Sequence, residues 1–173
     1  MKELKKIKIV VDTNILISFF CFPSGAIREL MKKILASEYE LVLSDEILDE
    51  FKEVINKKFK ELKIIEWDFI KFIQENFTII NPDKKLSIIK EDISDNKIIE
   101  CAVAAKADFI ISGDKHILDL CKYKNIKILK PADFLKITMS NTSVTGGSIR
   151  IKKMHKELKI PLNPITVQIK NIK

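Results

Sequence analysis

The chain has 173 residues, 46% of them hydrophobic, with only four Gly and five Pro; this suits one continuous core and excludes collagen-like, repeat and disordered architectures. The formal net charge is +7, but residues 138–173 hold seven Lys or Arg against one acid, Glu157, which leaves +1 for residues 1–137. The basicity is a property of the tail, where it suits a polyanion such as RNA, an acidic protein surface or solubility alone.

Ile7 to Val11 is a short apolar run rich in β-branched residues and predicts a strand. From Ser24, the positions of Ile27, Leu30, Met31, Ile34 and Leu35 have helical spacing. A strand is expected at Glu40 to Leu43, then a helix from Ser44 with Ile47, Phe51, Val54 and Ile55 inward, and a further helical stretch around Trp67 to Ile73. Phe77 to Ile80 predicts strand, a helix opens near Ser94 and Asp95, and Phe109 to Ser112 predicts strand again. A short helix near Ile117 to Cys121, a strand at Ile126 to Leu129 and a helical turn from Pro131 complete the body. Residues 140–148, SNTSVTGGS, have linker composition, and Ile165 to Lys170 alternates like a lone strand. The expected organisation is a domain over residues 1–137 and a basic extension over 138–173.

Alternating strands and helices predict a parallel sheet covered on both faces, with polar sites beyond the carboxyl ends of its strands. No apolar run approaches the roughly 20 residues that span a bilayer, so a cytoplasmic protein with no membrane partner is expected. Cys21, Cys101 and Cys121 are odd in number, widely spaced and free of any CxxC pair, which argues against disulfides and zinc and for reduced, semi-buried side chains. His116 and His155 have no partner histidine and are expected at the surface.

Asp12 directly follows the apolar run Ile9, Val10, Val11, and Asp114 follows Phe109 to Ile111 by way of Ser112 and Gly113. Either Asp could be the polar residue that opens a turn. Asp95 falls close to the inward direction of Ile98, Ile99, Ala102 and Val103, although a first-turn Asp also serves as a helix cap. Asp92 could share either role. Asn14 could hold the Asp12 carboxylate or simply belong to a turn. Glu50 lies at the margin of its helix's apolar stripe, within the acidic run Asp45, Glu46, Asp49, Glu50 and Glu53. Carboxylates brought to one crevice repel; the usual resolutions are a raised pKa or a bound hard cation, and oxygen ligands favour Mg²⁺ or Mn²⁺.

Taken in order, VVDTNIL (10–16), LSDEILDEF (43–51), DISDNKIIECAVAAKADFIISGDKHIL (92–118) and ILKPADFL (128–135) resemble the PIN-domain family. The likeness spans roughly residues 7–136 and is greatest to the VapC-type toxin components of bacterial and archaeal toxin–antitoxin pairs. It implies a three-layer α/β/α sandwich around a mostly parallel five-stranded sheet. It also implies hydrolysis of RNA phosphodiester bonds by a homodimer, products with 5′-phosphate and 3′-hydroxyl ends, and a small antitoxin protein as partner. By motif position, Asp12 matches the family's first acid, Glu50 its second with Glu46 as the alternative register, Asp95 its third and Asp114 its fourth. Those acids would hold one or two Mg²⁺ or Mn²⁺ ions, with Asn14, Ser112 and Asp92 as polar companions. A PIN nuclease of RNA processing, a non-catalytic module that binds RNA or protein, and an aspartyl phosphatase are the competing expectations. The phosphatase is disfavoured because it wants an acid where Asn14 stands. The family pattern does not extend to the tail.

Overall fold

The computed structural model describes residues 6–23, 25–36, 39–60, 62 and 66–138. Apart from Thr138, the expected C-terminal extension, with its linker-like run and the strand expected at 165–170, lies outside the described residues. In chain order the elements are β1 (Ile7–Val11), α1 (Thr13–Cys21), α2 (Gly25–Leu35), β2 (Tyr39–Ser44), α3 (Asp45–Lys58), α4 (Glu66–Asn76) and β3 (Thr78–Ile80). After a 3-10 turn at Ile93–Asp95 come α5 (Asn96–Ala105), β4 (Phe109–Ile111), α6 (Lys115–Asp119), β5 (Lys122–Tyr123), β6 (Ile126–Leu129) and α7 (Pro131–Thr138).

The strands form one sheet in the order β3-β2-β1-β4-β6-β5. All neighbours pair parallel except β5 with β6. The sheet has six strands where five were expected; the sixth is the two-residue β5, a hairpin partner too short to carry a period-2 signal. Consecutive residues such as Ile9, Val10 and Val11 are fully buried, which requires cover on both faces of the sheet and gives the three-layer sandwich. On one side of β1 the chain continues to β2 and β3, and on the other side it returns through β4. The gap between the carboxyl ends of β1 and β4 is therefore the topological switch point.

Helix α1 departs from the expected pattern, in which the first helix began at Ser24. Seven of its nine residues are buried, Ile15 to Ile17 and Phe19 to Cys21 among them, so only the narrow stripe of Asn14 and Ser18 marks a helical period. Phe20 on α1 packs against Phe51 on α3 and Phe69 on α4, with ring centroids 5.8 and 4.9 Å apart, tying three helices into one aromatic cluster. Trp67 on α4 is 75% exposed and takes no part in it. Phe134 on α7 meets Tyr39 of β2 at 5.2 Å and Phe109 of β4 at 5.1 Å, the two strands that flank β1. The short helix expected near Ile117 to Cys121 begins two residues earlier, at Lys115, because Asp114 caps it; Cys121 follows it and is exposed, whereas Cys21 and Cys101 are buried. No helix among the described residues is long and apolar enough to cross a membrane.

The segment from Asn81 to Asp92 has no regular structure, yet it is pinned to α5 from two points. Asn96, 2% exposed, accepts from the backbone N–H of Ile88 (2.8 Å) and Ile89 (2.9 Å) and donates to the carbonyls of Ile89 (2.8 Å) and Ile93 (3.0 Å). One turn later the buried carboxylate of Glu100 accepts from Leu86 N–H at 2.7 Å and pairs with Lys85 at 3.3 Å.

Candidate active site

Register across the switch point sets the first two acids. Val11 pairs with Ile111, so Asp12 and Ser112 leave the sheet side by side, and Asp12 N–H donates to the Ile111 carbonyl at 3.2 Å. Asp12 then caps α1, its Oδ1 accepting from Ile15 N–H at 2.7 Å. Its Oδ2 accepts from the buried Ser112 hydroxyl and from Gly113 N–H at 3.0 Å. Asp114 follows as the cap of α6, accepting from His116 N–H at 2.7 Å, while its own N–H donates to Ser112 Oγ at 2.9 Å. Ser112 thus ties the two aspartates together. Asn14, for which a hold on Asp12 was one expectation, is exposed and lines the cleft, while the described bonds to Asp12 come from Ser112, Gly113 and Ile15.

Asp12, Asn14, Glu50, Asp95 and Asp114 line one cleft of about 50 Å³, together with Thr13, Val54, Lys97, Ile98 and Ile117. The four acids come from α1's cap, α3, the 3-10 turn and α6's cap. Glu50, not Glu46, reaches this cleft: Glu46 is exposed and paired with Lys85 in the neighbouring groove of about 610 Å³. Asp92 lies outside the lining and caps the 3-10 turn, accepting from Ser94 N–H at 2.9 Å and from its hydroxyl at 2.6 Å.

Asp95 differs from the other helix-start aspartates. It makes no side-chain cap bond, and its Oδ2 is buried without a hydrogen-bond partner. Burial, then the charges of Asp114 and Asp92, push its pKa from 3.8 up to about 6. Burial also raises the pKa of Asp12, against the pull of hydrogen bonds from Ser112, Ile15, Gly113 and the Asp114 backbone. Hydrogen bonds from Ser94 lower that of Asp92.

The donor set fits a hard divalent cation. It is made of carboxylate oxygens, one of them orphaned, in a space with room for an ion and a few waters but not for an organic cofactor. The acids are not drawn into a preset cage: among the described residues, no three His, Cys, Asp or Glu side chains stand close enough to hold one ion as they are. Coordination there would involve side-chain rotation.

Two further cleft residues escaped the sequence reading. Thr13 is buried and donates its hydroxyl to Glu50 Oε2, and Lys97, 14% exposed, ion-pairs with Glu50 Oε1 at 3.0 Å. Thr13 sits inside the DTN run itself, where a polar residue heading the buried α1 was its available signal. Lys97 carried none, since a wheel drawn for a continuous helix sets it about 200° from Asp95. In the structure Asp95 belongs to the 3-10 turn, so the wheel does not apply.

The PIN domain family matches residues 8–116. An uncharacterised protein of Methanocaldococcus jannaschii is 30% identical over 146 residues, covering 78% of this chain and 93% of that protein. Among solved structures, a chain in the crystal structure of VapBC2 from Rickettsia felis bound to a DNA fragment from their promoter superposes with a TM-score of 0.53 at 16% identity. That likeness covers 70% of this chain and 97% of that one, and it speaks to the fold.

Proposed function

The chain belongs to the PIN-domain family, and from that premise we propose that it is a ribonuclease dependent on Mg²⁺ or Mn²⁺. PIN domains are in general nucleases and typically use divalent metals. The observation that most supports the proposal for this chain is the orphaned, partly buried Asp95 carboxylate in a cleft shared with Asp12 and Asp114. Like charges gathered there without an ion pair of their own suit a cation and an incoming phosphate rather than stability alone.

Asp12, Asp95 and Asp114 would hold the ion, and Ser112, bonded to both Asp12 and Asp114, fixes their relative orientation. When bound, such an ion supplies a more acidic water and charge stabilisation at the phosphoryl oxygens. Asp95, whose buried oxygen has no hydrogen-bond partner, would complete the ion's shell or position the attacking water. Asn14, exposed in the cleft lining, would meet the RNA backbone.

The structural neighbour in a VapBC2 complex supports a finer proposal: a cytoplasmic toxin component that acts as a homodimer and is restrained by a small antitoxin. The alternative within the same chemistry is a nuclease of RNA processing. Cleavage of a mixed RNA pool by wild type and Asp12→Asn, each with Mn²⁺, Mg²⁺ or EDTA, tests the activity. Metal-dependent cutting that the variant loses supports the proposal, and metal-independent RNA binding without cutting refutes it. Growth arrest on expression, relieved by a co-expressed small partner, separates toxin from processing enzyme.

A further inference from the structure

Among the described residues the cleft is lined by one ammonium, that of Lys97, and its position divides the four acids into two kinds. Among the described residues no ion pair is made by Asp12, Asp95 or Asp114, whereas Glu50 is paired with Lys97 at 3.0 Å. The donors on Asp12 and Asp114 are neutral hydroxyl and amide groups, which orient a carboxylate without cancelling its charge. Glu50 is different: Thr13 donates to Oε2, and the positive charge of Lys97 faces Oε1.

The three aspartates, which make no ion pair among the described residues, carry the charge that calls for a divalent ion. The Glu50–Lys97 pair is neutral and calls for none. Freeing Glu50 for a metal would strand Lys97, only 14% exposed, beside a cation, which is electrostatically unfavourable. A phosphate, by contrast, is attracted to the ammonium, which has three N–H donors that a single ion pair does not exhaust. Lys97 also lines the same cleft as Asp12, Asp95 and Asp114, so it stands beside the cluster it would complement.

We propose that Glu50 is not a ligand of the divalent ion but the positioning residue for Lys97, and that the Lys97 ammonium binds a non-bridging oxygen of the RNA phosphate beside the aspartates. The inference rests on the nuclease assignment and deepens it. It divides the cleft into a metal side, Asp12, Asp95 and Asp114, and a phosphate side, Thr13, Glu50 and Lys97.

Two binding measurements on the full chain, neither using turnover, test it. The first is Mn²⁺ titration followed by electron paramagnetic resonance. Glu50→Gln is expected to bind Mn²⁺ within about threefold of wild type, whereas Asp12→Asn weakens it by about tenfold or more. The second is binding of a labelled single-stranded RNA across a salt series with Ca²⁺ as the cation, the RNA being recovered intact. Lys97→Met is expected to reduce the slope of log K against log salt by about 0.7, the loss of one phosphate contact, and Lys97→Arg to preserve it. If Lys97→Met unfolds by leaving Glu50 unpaired, the Lys97→Met/Glu50→Gln double variant, which leaves no orphaned charge, carries the same slope measurement. An unchanged slope, or a loss of Mn²⁺ in Glu50→Gln as large as in Asp12→Asn, overturns the proposal. If wild type itself binds no Mn²⁺, the failure lies with the metal-nuclease assignment, and the division of the cleft falls with it.

Discussion

Replacing Asp95 by Asn should make the metal-free protein more stable, although it removes an acid at the centre of the cleft. The folded state holds this carboxyl at about pKa 6 against an ordinary 3.8. For an acid, a raised folded pKa means that the native state binds the extra proton between those values, so stability declines as pH rises through that window. The full difference of about two units corresponds to roughly 3 kcal/mol above pH 6. Asp95 is only partly buried, and solvent screening brings the expected gain to about 1–2 kcal/mol. Urea denaturation in EDTA at about pH 7.5 should show a higher midpoint at unchanged m, or a melting temperature raised by about 2–6 °C, and the gain should shrink toward pH 4. With saturating Mn²⁺ the order should reverse, since wild type gains about 2.7 kcal/mol at a hundredfold excess over Kd and the variant gains less. A variant less stable than wild type in EDTA at neutral pH would refute the account of Asp95 as a charge held against its own repulsion.

Three other outcomes follow from the packing and the site. Asn96→Ala removes the acceptor for two backbone N–H groups and the donor to two carbonyls, and should destabilise by about 2–4 kcal/mol in chemical denaturation. Lys106 closes α5 in the left-handed region at φ 52°, so Lys106→Gly should stabilise by about 0.5–1 kcal/mol in the same assay. Glu46→Gln, outside the cleft, should leave RNA cleavage within about twofold of wild type while Glu50→Gln lowers it at least tenfold; equal effects would reverse the register at LSDEILDEF.

The sheet was legible because each parallel strand is an apolar run followed by a polar break. The strand at Ile7–Val11 ends where expected with Asp12 directly after it, and the strand expected over Phe109 to Ser112 ends one residue earlier, at Ile111, with Asp114 three residues on. Helix α1 was hidden by its own burial, since two polar residues one turn apart, Asn14 and Ser18, are too narrow a stripe from which to read a period. The choice between cap and inward acid at Asp95 was also beyond the sequence. Asp12, Asp92 and Asp114 all make cap bonds and Asp95 does not, a difference that depends on the 3-10 turn before α5 and not on residue type. Lys97 was invisible for the same reason. Glu50 could not be told from Glu46 until α3 was seated on its neighbours, because one helical turn separates them in an acidic run.

The Asn96 clamp lies between Asp95 and Lys97, so the aspartate of the metal side and the ammonium of the phosphate side extend from one buried, four-bond anchor. Upstream, the irregular strap from Asn81 is fastened again where Leu86 meets Glu100. Residues 81–84, before both fasteners, are irregular and mostly exposed. An epitope or short peptide inserted there would lengthen the strap without shifting either charged group, which makes this stretch a natural port for labelling the protein while leaving its cleft intact.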